Sequence, residues 1–122
     1  MQNRLEWSIL ALAQPAEIQR SLFPDFTHKP DELVLNLEEA LNGLRGHEDD
    51  LTAEQWSAIR ALDAPILALS GKAHSDFWTQ DALRCDPRWE EIRGLAKRAA
   101  EACGWELRAP PPSDDIYVSA GS

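Results

Sequence analysis

The chain has 122 residues, of which 43% are hydrophobic and 27% charged, and it carries a formal net charge of −9 at pH 7. This composition is typical of one globular domain that builds its core without metals or disulfides, and two cysteines are too few for a disulfide scaffold. No apolar run approaches the roughly 18 residues of a membrane span, and excess negative charge repels phosphates, so we expect a protein that binds neither membranes nor nucleic acids. The low number of cysteines makes a reducing cytoplasm the expected location.

The N-terminal part is predicted to form two helices and a loop. Apolar residues recur at helical spacing across residues 2–14, and Pro15 ends or kinks that helix. A second short helix is predicted over residues 16–23. The prolines within residues 23–30 bias their predecessors away from the helical region, so this stretch is predicted to be a loop.

Two longer helices are predicted in the middle of the chain. Leucines share one face of a helix over residues 31–45. Thr52 and Gln55 have the spacing of a capping box that opens the next helix. Pro65 lies inside that helix, which therefore either kinks near residues 61–64 or breaks and restarts at the proline.

The last helix has the clearest local signals. Asp86 suits an N-cap, Pro87 suits the first helical position, and Gly104 suits the residue after the C-cap. Residues spaced three and four apart form its apolar stripe: Trp89, Ile92, Ala96, Ala99 and Cys103. We therefore predict one amphipathic helix between these two caps.

A short helix over residues 75–84, with Trp78 and Leu83 turned inward, is predicted to precede it. The pattern W-T-x-x-A-L from Trp78, followed eleven residues on by W-x-x-x-R from Trp89, resembles a helical domain of small bacterial proteins without assigned activity. The resemblance implies a helical fold and no particular function.

Sequential helical periods without alternating strands predict an all-α fold, a compact bundle of five to seven helices formed by a single domain over residues 1–108. Residues 109–122 begin with three consecutive prolines after Ala109 and add two acidic residues. We predict that they form a Pro-rich acidic tail, extended or poorly ordered. Ile116, Tyr117 and Val118 have strand-like side chains but are too isolated to form a sheet.

The negative charge is concentrated in one segment. Residues 31–63 hold nine acidic and two basic side chains, which accounts for seven of the nine net negative charges. Such a segment is either a docking surface that attracts a basic protein or a solvated face that keeps the domain soluble. The candidate partner-binding residues are Asp31, Glu32, Glu38, Glu39, Glu48, Asp49, Asp50 and Glu54.

No motif for chemistry stands out. His47 with the three following acidic residues is the densest group of potential metal ligands, but its spacing matches no known metal-binding motif. We therefore predict no metal, no cofactor and no catalytic residue, and we expect the protein not to be an enzyme. Cys85 is the better candidate for a reactive thiol, since Cys103 falls on an apolar stripe.

Five tryptophans stand among nine aromatic residues. Trp56, Trp78 and Trp89 are predicted to pack in the core, while Trp7 or Trp105 is a candidate interface anchor because each lies near the end of its element.

These observations favour a small acidic protein-binding module, an inhibitor or immunity-type protein that neutralises a basic toxin or enzyme through residues 31–63. One alternative is a metal-dependent or cryptic hydrolase with carboxylates in the bundle core. Another is a structural subunit of a homo-oligomer. The helical periods turn the carboxylates outward, so a buried Asp or Glu would be the observation that favours the hydrolase.

Overall fold

The computed structural model describes residues 4–23, 29–44, 46–70 and 72–111. Within these ranges the fold is all-α, with no strand, as predicted. Two 3₁₀ segments, Glu48–Asp50 and Lys72–Trp78, connect helices. The six α-helices are α1 (Arg4–Leu12), α2 (Ala16–Ser21), α3 (Lys29–Gly43), α4 (Ala53–Ala68), α5 (Gln80–Cys85) and α6 (Pro87–Ala102).

Helix α1 is the centre of the bundle. It packs against α3 on one side and α6 on another, and α6 packs in turn against α4. The residues from Ile9 to Leu12 are completely buried, so α1 is enclosed on nearly all sides rather than along one stripe. Its polar residues at the first turn, Arg4 and Glu6, keep contact with solvent, whereas the apolar remainder of the helix requires such an enclosed position.

Helix α6 has the two caps that its sequence predicts. The Asp86 side chain accepts a hydrogen bond from the Arg88 backbone N–H at 2.8 Å, and Pro87 is the first helical residue. At the other end Gly104 adopts φ +73°, and the Trp105 N–H donates to the Ala100 carbonyl at 2.9 Å. This pair of features is a Schellman motif, in which glycine takes the left-handed position without steric cost.

The predicted helix over residues 75–84 is wrong as a single element. The chain instead forms the 3₁₀ segment Lys72–Trp78 and then α5, with Thr79 between them in an extended conformation. The Thr79 hydroxyl accepts a hydrogen bond from the Ala82 N–H at 3.0 Å. Because Thr79 is the N-cap of α5, it cannot also be an interior residue of one helix over residues 75–84. Leu83 is buried as predicted, and Phe77 is buried as well.

Helix α4 runs through Pro65 without interruption, so the alternative in which it breaks and restarts is wrong. Proline cannot donate to the carbonyl four residues earlier, that of Ala61. Ala61 lies on the exposed side of the helix, where water can take the place of the missing donor. The predicted capping box is confirmed: the Gln55 N–H donates to the Thr52 hydroxyl at 3.1 Å, and the Thr52 N–H donates to the Gln55 side chain at 2.9 Å.

Helix α3 begins earlier than the sequence predicts. Lys29 and Pro30 belong to its first turn rather than to a loop, and proline is favourable there because that position needs no N–H. Residues 24–28 of the predicted loop lie outside the described residues.

The chain after α6 returns along α1. The Trp7 indole N–H donates to the Pro111 carbonyl at 2.7 Å, and the Gln14 side chain donates to the Arg108 carbonyl at 2.8 Å. Pro110 is buried. Residues 112–122, which include most of the predicted tail and its strand-like residues, lie outside the described residues. In the described part of the chain, no helix has the length and apolar character needed to cross a bilayer.

Candidate functional site

A groove of about 640 Å³ lies between α1, the end of α3 and the start of the chain that leads to α4. We call it the Trp105 groove. Its apolar lining consists of Leu5, Ala40, Gly43, Leu44, Leu51 and Trp105, and its charged lining consists of Arg4, Glu39 and Asp50. Trp105 is half-buried, so one part of the indole packs on the core while the rest faces the groove. The volume of the groove is within the range of ligand-binding clefts.

Charged side chains flank this groove. The Arg4 guanidinium pairs with the Glu39 carboxylate, and both side chains are nearly half exposed. Such an exposed pair contributes at most about 1 kcal/mol to stability. Asp49, Asp50 and Glu54 are exposed, whereas the side chain of Glu48 lies outside what the structure describes.

A second groove, of about 430 Å³, lies on another side of α3. We call it the Trp78 groove, and it is lined by Asp31, Val34, Leu35, Glu38, Ser70 and Trp78. Asp31 and Glu38 are seven residues apart, two helical turns, and therefore share a face of α3.

The structure places four of the eight predicted partner-binding residues at the two grooves, on different sides of α3. Asp31 and Glu38 line the Trp78 groove, whereas Glu39 and Asp50 line the Trp105 groove. Glu32 is half-buried on the same helix. The acidic segment forms two grooves with α3 as their shared wall.

Two carboxyl groups meet between α3 and α4. The Oε1 atom of Glu38 and the Oδ1 atom of Asp63 are both buried, and no other group donates a hydrogen bond to either oxygen. Burial raises the pKa of Glu38 to about 7, and a hydrogen bond with Asp63 together with the charge of Asp63 adds to the effect. A single proton shared by the two oxygens gives each a partner.

The expectation that all carboxylates point outward is therefore wrong for Glu38 and Asp63, and Asp63 was not among the candidate residues. Its position carried a signal, since it directly follows Leu62 and precedes Ile66 by three residues, both of which are completely buried. That spacing places Asp63 at the edge of the apolar stripe of α4.

The raised pKa of Glu38 predicts a dependence of stability on pH. Because the folded state holds this proton more tightly than the unfolded chain, stability falls as pH rises from about 4.5 to about 7. Replacing Glu38 by glutamine should remove this fall and stabilise the protein at pH 8 by about 1 kcal/mol, a modest value because solvent screens a partly exposed carboxyl. Urea unfolding at pH 5 and pH 8 measures both effects.

Glu91 on α6 is exposed, and a Glu91→Gln variant is the matched control, with the same pH dependence as the unmodified chain. A Glu38→Gln variant whose stability still falls between pH 5 and pH 8 by the wild-type amount would contradict the assignment of the proton to this pair.

An aromatic cluster holds Trp78 at its groove. The Phe77 and Trp89 rings are stacked with centroids 4.4 Å apart, and Trp78 meets Trp89 edge to face at 6.1 Å. The Trp78 indole N–H donates to the Leu69 carbonyl at 2.9 Å. Trp89 is completely buried, as predicted, while Trp78 and Trp56 are half-buried. Trp7 is buried beside Phe23. Of the two candidate interface anchors, Trp105 is therefore the one that is half-buried and lines a groove.

Neither cysteine is among the residues that line the two grooves. Cys85 is exposed, and its thiol donates to the Asp81 carbonyl at 3.1 Å. Cys103 is half-buried, and burial raises the pKa of its thiol. Among the described residues, no group of three or more His, Cys, Asp or Glu side chains is arranged to hold a metal ion.

Comparison of the chain with protein-family models, with curated proteins and with solved structures finds no match.

Proposed function

We propose that the protein is a small acidic binding module that neutralises a basic toxin or enzyme, in the manner of an inhibitor or immunity protein. The observation that carries the proposal is the Trp105 groove, in which an apolar floor is bordered by Glu39 and Asp50 from the most acidic segment of the chain. An apolar centre with a charged rim is the arrangement that protein interfaces use.

The two parts of this groove have different roles in binding. Leu44, Leu51 and Trp105 offer apolar area and one rigid aromatic anchor, the type of residue that contributes most at interfaces. The surrounding negative charge attracts a basic partner and raises the rate of encounter. The exposed pair of Arg4 and Glu39 is weak enough for a partner's cation to replace Arg4 beside the carboxylate.

The bulk properties of the chain support the same partner class. A net charge of −9 disfavours nucleic acids and anionic membranes as direct partners. Two free thiols suit a reducing cytoplasm, which is where we propose that the protein acts. A homo-oligomer remains an alternative in which the acidic segment faces solvent, and light scattering distinguishes it from the monomer that the inhibitor proposal favours.

The second candidate function is a hydrolase that uses Glu38 and Asp63 as an acid and base pair. Their shared environment and the pKa of about 7 for Glu38 are the observations that favour it. Such a pair would act on a water molecule and would need no side-chain nucleophile. However, the Oε1 atom of Glu38 and the Oδ1 atom of Asp63 are both buried, whereas a hydrolytic pair must contact water and substrate, so binding is the better account.

Charge reversal at the Trp105 groove tests the proposed function. Inhibitors are commonly encoded beside their targets, so the binding partners to test are the purified products of neighbouring genes, with Kd measured by calorimetry. We expect one basic product to bind, and a Glu39→Lys, Asp50→Lys double variant to weaken its binding at least tenfold, about 1.4 kcal/mol.

A matched control separates the groove from net charge. Glu91 and Glu101 are exposed on α6, and the Glu91→Lys, Glu101→Lys variant changes the net charge by the same amount. It should leave the affinity within about twofold. Equal losses in the two double variants, or the absence of any basic product that binds, would contradict the proposal.

A further inference from the structure

Helices α3 and α4 meet along a narrow seam. The main packing partner of α3 is α1 and that of α4 is α6, whereas the described residues of α3 and α4 have little direct packing with each other. Glu38 on α3 and Asp63 on α4 are hydrogen-bonded across this seam. The carboxyl pair is therefore a direct link between two helices that share few other contacts.

This link requires a proton. An ionised carboxylate has acceptor oxygens only, so two carboxylates form a hydrogen bond with each other only while one of them is protonated. The Oε1 atom of Glu38 and the Oδ1 atom of Asp63 are buried, and no other group donates to them. Loss of the proton therefore leaves two negative charges that repel each other across the seam.

The Trp78 groove opens onto the same seam. Val34 and Glu38 line it from α3, while Ser70 and Trp78 line it from the chain that follows α4. The Trp78 indole N–H donates to the Leu69 carbonyl at 2.9 Å, which ties this wall to the end of α4. Water in the groove is thus beside the pair and can hydrate it when its charges separate.

We propose that the Glu38 and Asp63 pair is a pH-sensitive switch: with one shared proton it closes the seam between α3 and α4, and its ionisation separates the helices there and widens the Trp78 groove. The switch goes beyond the proposed function, since neither residue lines the Trp105 groove.

The direction of the switch follows from the shared proton. Burial, the hydrogen bond with Asp63 and the charge of Asp63 raise the pKa of Glu38 to about 7. Below that pH the pair holds its proton and the seam is closed. Above it both carboxyls are ionised and the seam is open, so the transition falls in the neutral range.

Charged groups of the surrounding elements leave this sign unchanged. No basic group is among the causes of the shift at Glu38, and Asp31, which lines the same groove, is an acid. His74 does not line the groove. The arginines of neighbouring helices have other partners: Arg4 of α1 pairs with Glu39, Arg60 of α4 lies over the Trp56 ring, Arg84 of α5 pairs with Asp81, and Arg88 of α6 pairs with Asp76 and Asp86.

The distance between two spin labels tests the opening. Asn42 is exposed on α3 one turn after Glu38, and Ala64 is exposed on α4 beside Asp63. Labels at Asn42→Cys and Ala64→Cys, in a Cys85→Ser, Cys103→Ala background, are measured by electron paramagnetic resonance between pH 5.5 and pH 8.5. A water inserted between the carboxylates replaces one hydrogen bond by two, so we expect a distance about 2–3 Å longer at pH 8.5.

A reference pair of labels separates local opening from general expansion. Ala64→Cys with Lys97→Cys spans α4 and α6, which pack closely, and its distance should not change with pH. Adding Glu38→Gln to the first pair should abolish the pH dependence, whereas adding Glu91→Gln, at an exposed position on α6, should preserve it.

The carboxyl carbon signal of Glu38 shows by NMR whether the pair titrates as the switch requires. A distance that stays constant while this signal titrates near pH 7 overturns the opening, and a signal that titrates only near pH 4.5 overturns the shared proton as well. Equal lengthening in the reference pair, or an unchanged response in Glu38→Gln, also overturns the proposal.

Discussion

Replacing Arg93 by methionine should lower the free energy of unfolding by about 3 kcal/mol, because the change leaves two buried carbonyl oxygens without donors. Arg93 is only 3% exposed. Its Nε and Nη2 atoms donate to the Gln19 side-chain oxygen at 3.1 and 3.0 Å, and Nη2 also donates to the Leu83 carbonyl. Methionine keeps most of the stem and removes every donor.

The loss of stability extends beyond α6, because Gln19 also forms hydrogen bonds with α1. Its side-chain nitrogen donates to the Ala11 and Leu12 carbonyls at 3.2 and 3.1 Å, at the end of α1. Arg93 and Gln19 therefore join α6, α5 and α2 to the central helix of the bundle, and their removal should be coupled by more than about 1 kcal/mol.

Urea unfolding of Arg93→Met, Gln19→Leu and the double variant measures this coupling. Arg98 is exposed on the same helix, and Arg98→Met should change stability by no more than about 0.5 kcal/mol. A loss at Arg93 as small as that at Arg98, or strictly additive losses at Arg93 and Gln19, would show that the buried hydrogen bonds are not as important as their geometry indicates.

Local chemistry made much of the fold predictable. The caps of α6 depend on Asp86, Pro87 and Gly104, each of which acts within two to four residues of its own position. The capping box at Thr52 is equally local. The boundary at Thr79 was missed because a threonine cap competes with continuation of the helix, and the sequence pattern alone does not decide between them.

Contacts across the chain were not predictable in the same way. Arg93 and Gln19 are 74 residues apart, and Leu5 and Trp105 meet in one groove from opposite ends of the chain. Hydrophobic periodicity says which face of a helix is buried but not which other helix covers it. Arg93 follows Trp89 by four residues and precedes Ala96 by three, so its place on the apolar stripe of α6 was the signal for a buried polar network, and it was visible in the sequence.

The candidate site was likewise predictable only in part from the sequence. The sequence identified the acidic segment that supplies both grooves, because charge can be counted without a fold. It did not show that α3 separates Glu38 from Glu39, nor that Asp63 faces Glu38. Neighbours in sequence differ by about 100° around a helix, so consecutive acidic residues point in different directions. The packing of the helix decides which of them share a surface.

The largest loss of stability is expected for Trp89→Ala, about 4 kcal/mol, since it removes a large aromatic side chain from the core and leaves a cavity. Trp89 is completely buried and stacks on Phe77 with an angle of 6° between the rings. Its indole N–H donates to the Phe77 carbonyl at 2.9 Å. Both interactions hold the segment Lys72–Trp78 in place, and with it one wall of the Trp78 groove.

Trp89→Phe separates the two contributions. It keeps an aromatic ring against Phe77 but leaves the Phe77 carbonyl without its donor, so it should cost about 1–2 kcal/mol. Unfolding in urea gives both values, and the NMR signal of the Trp78 indole reports the groove. In Trp89→Phe the Trp78 indole signal should stay close to its wild-type position, because an aromatic ring remains at position 89 to meet Trp78 edge to face. A loss in Trp89→Ala below about 1.5 kcal/mol would contradict the central place of this stack in the core.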